Sequence, residues 1–402
     1  MSRLILNNNL TAPTAPATDK SAFYLDANGI ARQIDSNGVI STLASRSQYN
    51  WLRNGGLWFA QRQAPGTLTT YSSTAGRAFT ADGWAVSNEN ASAQYIRTDT
   101  LTTPQTGLQA QFYGQFTKIT NVGKLAVSQV IEGKNTGSLR GRTVRFQITA
   151  QAVSTTLSSI WRMALVQLTT SGTVDTLPAT VISAWNAGAT DPTLGTNLAY
   201  IAPKAGVNPE NGAVNGNAVD ITVLPSVWTT FGGVFDVPLN CKNVMVMLFS
   251  NSQIAVADGI RISECSLTDG YETQDWSPEA YSSELVRCQR FLCKSFNIDT
   301  APAQNAGLVG VVRGHVSVAG ATANQPIGIR FPGPMRVAPT CTFYNPSAAN
   351  AFVRNTTAGS DATATAIGGT AGESGLDIFF TGIAAWTVAQ AVAVHFLADA
   401  EV

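Results

Sequence analysis

Apolar residues recur in this chain mostly as short runs in which every second position is polar, separated by clusters of Gly, Asn, Thr and Pro. That period of two belongs to strands with one face buried. Residues 93–96, 108–116, 125–130, 143–150, 161–168, 218–224, 228–235, 244–249 and 259–267 read this way, and their number and spacing predict a two-sheet sandwich. A second series follows at 309–312, 315–318, 327–331, 340–344, 351–354, 362–367, 376–380 and 387–396, with Pro332, Pro334 and Pro339 at strand ends. The small, polar tract 359–372 is expected to be an exposed hairpin. Only residues 276–296 carry a helical period. Ser277 is expected as the cap, Pro278 at the first helical position, and Tyr281, Leu285, Cys288 and Leu292 on one face. The helix is expected to be short and to run into a strand. It would then stop near Arg287, with 289–296 as the strand; a helix continuing through Leu292 is the alternative.

The first 46 residues differ in character. Residues 10–19 are rich in Pro, Thr and Ala and read as an extended arm. Residues 22–25, 30–34 and 39–43 read as three short strands, separated by Asp-Ala-Asn-Gly (26–29) and Asp-Ser-Asn-Gly (35–38). Asn-Gly favours tight hairpins because both residues tolerate positive φ. Two such turns without further carboxylates do not make calcium loops. So small a meander must pack on something else. The chain thus reads as all-β: an arm and β-ribbon over 1–46, a sandwich over 47–277, and a short helix leading into a second β-domain over 278–402.

One stretch breaks the strand rhythm. Residues 183–217 are rich in Gly, Asn, Pro and Ala, and loops of this length are often functional. Trp185 and Tyr200 offer faces for sugar rings, with Asn186, Asp191 and Asn197 for hydroxyls. The other reading is a contact with a neighbouring subunit, where Trp and Tyr are equally favoured. Trp58, Trp84, Trp161 and Trp228 fall in or at the start of expected strands and are read as core. His315 and His395 lie in alternating strands and are read as structural.

Charged residues are only 12%, with 25 basic against 25 acidic and a net charge of zero. So little charge gives weak protection against association, and a homo-oligomer is expected. No basic run is present to neutralise phosphates, so nucleic acid is not an expected partner. The N-terminus reaches Asn7, Asn8 and Asn9 too soon for the core of a secretory signal. The apolar stretch 382–398 contains Gln390 and His395 and alternates at Val392, Val394 and Phe396, which predicts a buried strand and no membrane insertion. Five scattered cysteines form no ligand pattern and are read as reduced core residues of a chain made in a cytoplasm. No nucleophile elbow, phosphate loop or zinc signature is present. Asp269, Glu272 and Asp275 are read as solvated linker charges rather than a facing carboxylate pair. No enzymatic activity is expected.

Four stretches resemble tail-fibre and related virion appendage proteins of tailed bacteriophages. Glu284, Leu285, Cys288, Gln289, Arg290 and Phe291 match an E-L-x-x-C-Q-R-Y/F junction. Asn54-Gly55 through Gln61-Arg62, with Thr80-Ala81-Asp82 and Trp84, resemble an N-G…Q-R…T-A-D-x-W opening. Phe331, Pro334-Met335-Arg336 and Pro339-Thr340 resemble an F-x-x-P-M-R-x-x-P-T strand pair, and His395 to Val402 resemble an H-W/F-x-A-D-A-E-L ending. Order and spacing carry the resemblance over roughly residues 50–402. Residues 47–277 also resemble jelly-roll carbohydrate-binding modules, and 278–402 the compact β-sandwich that closes such fibres.

The resemblance implies a non-enzymatic virion protein, usually trimeric. Its N-terminal segment would dock on another virion protein through Leu4, Leu6, Phe23, Leu25 and Ile34, unless that segment folds on its own chain. Its sandwich would contact host-surface polysaccharide. In jelly-roll modules a structural calcium often bridges first and last strands. Gly56 stands where an acid is common, which leaves Asp258 and Glu264 as candidate ligands for Ca2+, and no other cofactor is expected. A capsid-decorating or head-fibre protein is the second reading. A polysaccharide-degrading tailspike is the third, although no short repeat builds the β-helix that usually supports one.

Overall fold

The computed structural model describes residues 14, 17, 21–25, 31–36, 40–42 and 49–401, apart from 72–75, 91, 102–104, 157, 179, 189, 272–275, 322–324 and 363–367. The chain divides into two compact units, Met1–Tyr49 and Asn50–Val402. In the first, β1 (Ser21–Leu25), β2 (Ala31–Asp35) and β3 (Ile40–Thr42) form an antiparallel sheet. Ala22 pairs with Ile34, which sets Tyr24 and Ile34 on one face, both buried, while Phe23 on the other face is 48% exposed. The candidate docking residues Phe23 and Ile34 therefore lie on opposite faces. Leu4, Leu6 and the two Asn-Gly turns lie outside the described residues.

The second unit opens with an irregular segment. The sandwich then runs through β4 (Thr69–Tyr71), β5 (Ala78–Phe79), β6 (Trp84–Asn88), β7 (Ala93–Asp99), β8 (Phe112–Lys118) and β9 (Leu125–Ile131). A short helix α1 (Gly133–Leu139) precedes β10 (Thr143–Ala152) and β11 (Ser159–Leu168). Next come β12 (Ile182–Ala184), β13 (Thr193–Leu194), β14 (Leu198–Ile201), β15 (Gly212–Asn215), β16 (Ala218–Val223), β17 (Thr229–Asp236), β18 (Asn243–Ser250) and β19 (Gly259–Asp269). One sheet has the order β17-β10-β19-β8-β7-β4; the other has β15-β16-β11-β18-β9-β6-β5, with β14 also on β11. Trp84, Trp161, Phe116, Phe146, Phe231 and Leu248 are among the residues buried between them.

The outer faces of the two sheets differ. β18 reads Asn-Val-Met-Val-Met-Leu-Phe-Ser, apolar at nearly every position, because both faces are covered. Met245, Met247 and Phe249 pack outward with Val166 and Ala164 beneath Val181, Ile182, Trp185, Leu194, Leu198 and Tyr200. β10 alternates instead: Val144, Phe146, Ile148 and Ala150 point into the core, while Arg145, Gln147, Thr149 and Gln151 point out.

The expected helix forms as α2 (Tyr281–Gln289) and runs into β20 (Leu292–Lys294). Its start differs from expectation. Ala280 occupies the cap position without a side-chain cap, so neither Ser277 nor Pro278 begins the helix. Glu279, just outside it, instead pairs with Arg287. The buried pair is Glu284 and Cys288, one turn apart, whereas Tyr281 is exposed and stacks on Trp58 at 5.8 Å. Trp58 is consequently half-buried in the irregular opening, not core.

The rest comprises β21 (Val312–His315), β22 (Gln325–Arg330), β23 (Thr340–Tyr344), β24 (Arg354–Asn355), β25 (Ser360–Asp361), β26 (Gly368–Gly372), β27 (Gly375–Phe380) and β28 (Ala391–Asp399). β28 pairs with β20, β21, β23 and β24, and β22-β27-β26 form a second sheet. Trp386, Phe380, Ile378, Val392, Val394 and Phe396 fill the core. The strand expected at 315–318 lies mostly past β21, where Val316 and Gly320 bond back to Gln390 and Trp386 through irregular backbone. His395 is structural, as expected. Its Nε2–H donates to Gly307 O at 3.0 Å, Ser295 Oγ lies 2.9 Å from Nδ1, and its ring stacks on Phe296 at 4.1 Å.

Sandwich and C-terminal sheets meet in a charged seam. Arg53 reaches Glu401 at 2.7 Å and lies 3.6 Å over the Phe291 ring. Arg62 pairs with Asp399 at 2.7 Å. Gly83 N–H donates to Glu401 at 3.0 Å, and Asn54 N–H donates to Glu284. The Asp82 carboxylate accepts Gln61 N–H and Nε2–H at 2.9 and 2.6 Å, and burial pushes its pKa up. Gln61 also bridges to Leu292 O at 2.9 Å. The Lys294 ammonium donates to Gln61 O, Ile298 O and Thr300 O at 2.6–2.7 Å, one carbonyl for each N–H.

Candidate functional site

The segment 183–217 has more order than its composition predicts, contributing β12 to β15. Trp185 and Tyr200 pack on the apolar outer face of their own sheet. The Tyr200 hydroxyl donates to Pro192 O at 2.9 Å, and Asn186 Nδ2 donates to Asp191 O at 2.6 Å. Asp191 pairs with Arg162, whose Nε also meets Asp220 at 2.7 Å. Asn197 takes a left-handed φ of 65° in a turn, and its carbonyl accepts Thr169 N–H at 2.8 Å. Asn186, Asp191 and Tyr200 are brought together, but their side-chain polar groups bind the chain itself, whereas Asn197 is exposed in its turn.

The two candidate cation ligands are held apart. Asp258 precedes β19 and accepts Gly259 N–H at 2.7 Å and Ser154 N–H at 3.2 Å. Glu264 lies six residues on, about 20 Å along an extended strand. It sits at a bulge with φ 51°, where it accepts Gln109 N–H at 2.6 Å, Ala110 N–H at 2.9 Å and Thr149 Oγ–H at 2.8 Å. It thereby fixes the 105–111 loop. First and last parts of the sandwich are joined by backbone: Trp51 N–H donates to Leu267 O and Cys265 N–H to Gly55 O, both at 2.9 Å. Among the described residues no group of three His, Cys, Asp or Glu is placed to hold a metal ion. Asp269 accepts from Trp51 and Arg142, and Glu272 and Asp275 lie outside the described residues.

The outer face of the six-stranded sheet is the site the sequence reading missed. Registers place Gln151 beside Arg261, Arg261 beside Gln115, and Gln115 beside Ile96. One row along, Thr117 stands beside Gln94 and Gln94 beside Thr70. These side chains form a hydrogen-bonded polar strip. Arg261 Nε–H donates to Gln115 Oε1 at 2.9 Å and Nη1–H to Gln151 Oε1 at 2.7 Å. Gln115 Nε2–H donates to Thr117 Oγ1 at 3.1 Å.

An aromatic pair borders the strip. Tyr113 on β8 meets Trp228, next to β17, with ring centroids 5.3 Å apart. The two elements flank β10 and β19, so the rings span the sheet face over Thr149 and Ser263, both fully buried. Trp228 Nε1–H donates to Gln105 Oε1 at 3.3 Å, which ties the pair to the loop that Glu264 holds. Trp228 is buried as expected, but against polar side chains of an outer face rather than in the intersheet core. Beyond the pair, Arg145 bonds to Gln147, Glu210 and the Tyr271 carbonyl. Gly232 leaves room for it: a Cβ there would come within 2.3 Å of the guanidinium. The signal for this face was present in the sequence, as Arg, Gln, Thr and Gln at alternate positions of 145–151.

No family model and no curated protein matches the sequence. Solved structures similar to it include the enzymatically active domain of bacteriophage CBA120 tailspike protein 4, at 11% identity and a TM-score of 0.28, covering 55% of this chain and 21% of that one. The chain thus spans about a fifth of that domain. The C-terminal family 22 carbohydrate binding module of Clostridium thermocellum Xyn10B is 12% identical, with a TM-score of 0.28 over 55% of this chain and 98% of the module. A putative sugar binding protein from Bacteroides thetaiotaomicron is 11% identical, with a TM-score of 0.30 over 55% and 100%. Likeness of this size says nothing of what this chain binds.

Proposed function

We propose that this chain is a non-enzymatic structural protein of a phage virion, a tail fibre or fibre-like appendage, whose sandwich contacts surface glycan through the polar strip. Its place in a virion rests on the resemblance of the four sequence stretches. The glycan reading rests on one observation: Arg261, Gln115 and Gln94, each half-buried, present guanidinium and amide groups from two adjacent rows of the sheet face, backed by the buried Gln151, Thr117, Tyr113 and Trp228.

Sugars present hydroxyls that both donate and accept. A strip of amides and hydroxyls matches them better than it matches an apolar protein surface, which would leave those groups unsatisfied. Individual contacts of this kind are weak. Several copies on one particle raise avidity without a tight single site. A homotrimer, expected from the resemblance and from the weakly charged composition, provides such copies.

Binding of the purified full-length protein to a glycan microarray tests the reading. Wild type should bind a subset of surface polysaccharides, and Gln94→Ala and Gln115→Ala should weaken that binding about tenfold with little change in melting temperature. A protein that binds no glycan and is found by cryo-electron microscopy on capsid facets belongs to the decorating class instead.

A further inference from the structure

The polar strip carries a charge that nothing in the described structure neutralises. The recessed arginines elsewhere in the sandwich, Arg97, Arg145 and Arg162, each meet a carboxylate: Asp299, Glu210, and Asp191 with Asp220. Arg261 is half-buried in the middle of the six-stranded sheet and meets two neutral amide oxygens instead, at 2.9 and 2.7 Å. Among the described residues no carboxylate lies within ion-pair distance of it. Glu264, three residues along the same strand, is committed to Gln109, Ala110 and Thr149.

The guanidinium is also held in place. Gln115 and Gln151 grip it from the strands on either side, and its Cζ lies 5.9 Å from the Tyr113 ring centroid. These contacts use two of its five N–H groups. Three remain, including both on Nη2, for which no partner is found among the described residues and which is not buried. A fixed planar fork with open hydrogens on adjacent nitrogens fits a two-oxygen anion, and it gains from one because its charge is partly desolvated.

We infer that the strip selects acidic glycans, taking a sugar carboxylate, as in a uronic or sialic acid residue, on Arg261 while the half-buried Gln115 and Gln94 meet neighbouring hydroxyls and the buried Gln151 holds the guanidinium in place. This rests on the glycan-binding reading above and adds the class of glycan. A planar carboxylate can accept from two guanidinium nitrogens at once. A neutral sugar offers the same position one hydroxyl oxygen.

Biolayer interferometry with the full-length protein tests it, using polygalacturonate, alginate, hyaluronan and polysialic acid beside neutral dextran, mannan and xylan, with dextran sulfate as a control for charge alone. Acidic carboxylated polymers are expected to bind at least tenfold more tightly than neutral ones, with affinity falling as salt rises. Arg261→Gln is expected to remove that preference, and Arg261→Lys to restore it only in part. Equal binding of neutral and acidic polymers, or an Arg261→Gln protein that keeps the preference, overturns the inference and leaves the glycan reading standing. Tightest binding to dextran sulfate overturns it in favour of unspecific charge attraction. No binding to any polymer overturns both.

Discussion

Arg53 and Glu401 lie 348 residues apart in the chain, and their side chains meet at 2.7 Å, both almost wholly buried. Around this pair gather the residues on which the family resemblance was read. Asn54, Gln61, Arg62 and Asp82 come from the opening stretch, Glu284 and Arg290 from the helical stretch and its end, Arg336 from the proline-rich stretch, and Asp399 and Glu401 from the end. Arg287 donates to Asn50 O and Leu52 O at 2.8 and 3.0 Å, and Arg336 Nε–H donates to Ala400 O at 2.9 Å. The motifs mark the joint between the sandwich and the C-terminal sheets.

Removing Glu401 leaves the Arg53 charge buried without a carboxylate partner, and removing Arg53 takes from Glu401 its nearer cation, leaving Arg62 at 3.7 Å. Arg53→Met and Glu401→Gln should each lower unfolding free energy by about 3–5 kcal/mol. The double variant should lose less than the sum, by roughly 1–3 kcal/mol. Urea unfolding of the four proteins gives the cycle, and strictly additive losses would show that the two side chains do not support one another.

Lys294 predicts a second loss in the same joint. Lys294→Met leaves the carbonyls of Gln61, Ile298 and Thr300 without their common donor. A cost of about 2–4 kcal/mol is expected. A change below roughly 0.5 kcal/mol, the range of ordinary surface substitutions, would mean that the three carbonyls find other donors.

The opening segment lies so close to β19 that one glycine is required for space alone. A Cβ on Gly55 would come within 2.2 Å of Cys265 O, whereas one on Gly137 in α1 would meet nothing within 4 Å. Gly55→Ala should therefore destabilise by about 1–3 kcal/mol. Gly137→Ala should be neutral or stabilising by up to about 1 kcal/mol. Thermal melts of both variants check the contrast.

Lys118 gives a pH dependence. Its side chain is buried and its Nζ donates to Glu89 O. Burial lowers its pKa from 10.5 to about 8, with Glu89 acting in the opposite direction. A depressed folded pKa favours the neutral amine in the folded state. The stability this contributes is fully present above pH 10.5 and is lost as pH falls through about 8. The melting temperature of Lys118→Met, relative to wild type, should therefore fall as pH rises from 7.5 to 10. A constant difference would assign Lys118 the same pKa folded and unfolded.

Much of the fold was legible because strands with one buried face carry their period openly. The expected strand at 340–344 matches β23, and those at 125–130, 218–224 and 244–249 differ from the observed ones by a residue at either end. The expectation failed where tertiary contacts decide. β8 begins at Phe112 rather than 108 because Glu264 holds residues 105–111 as a loop. Helix α2 starts three residues past Pro278, in a position where Glu284 meets Asn54. The segment around Trp185 reads as a loop because its apolar residues are sparse, yet they suffice to cover an already apolar sheet face. The polar strip was harder to see. Each of its strands carries only one or two of its residues, and only the registers of β10, β19, β8 and β7 bring them into a row.

Hydrogen–deuterium exchange of the full-length protein, with and without the tightest glycan from the microarray, tests the central claim most directly. Peptides from Thr143–Ala152, Gly259–Asp269 and Phe112–Lys118 should gain protection together, and Arg261→Gln should abolish that gain. Protection confined to residues 183–201, with these three strands unchanged, would contradict the account and move the binding site to the opposite sheet.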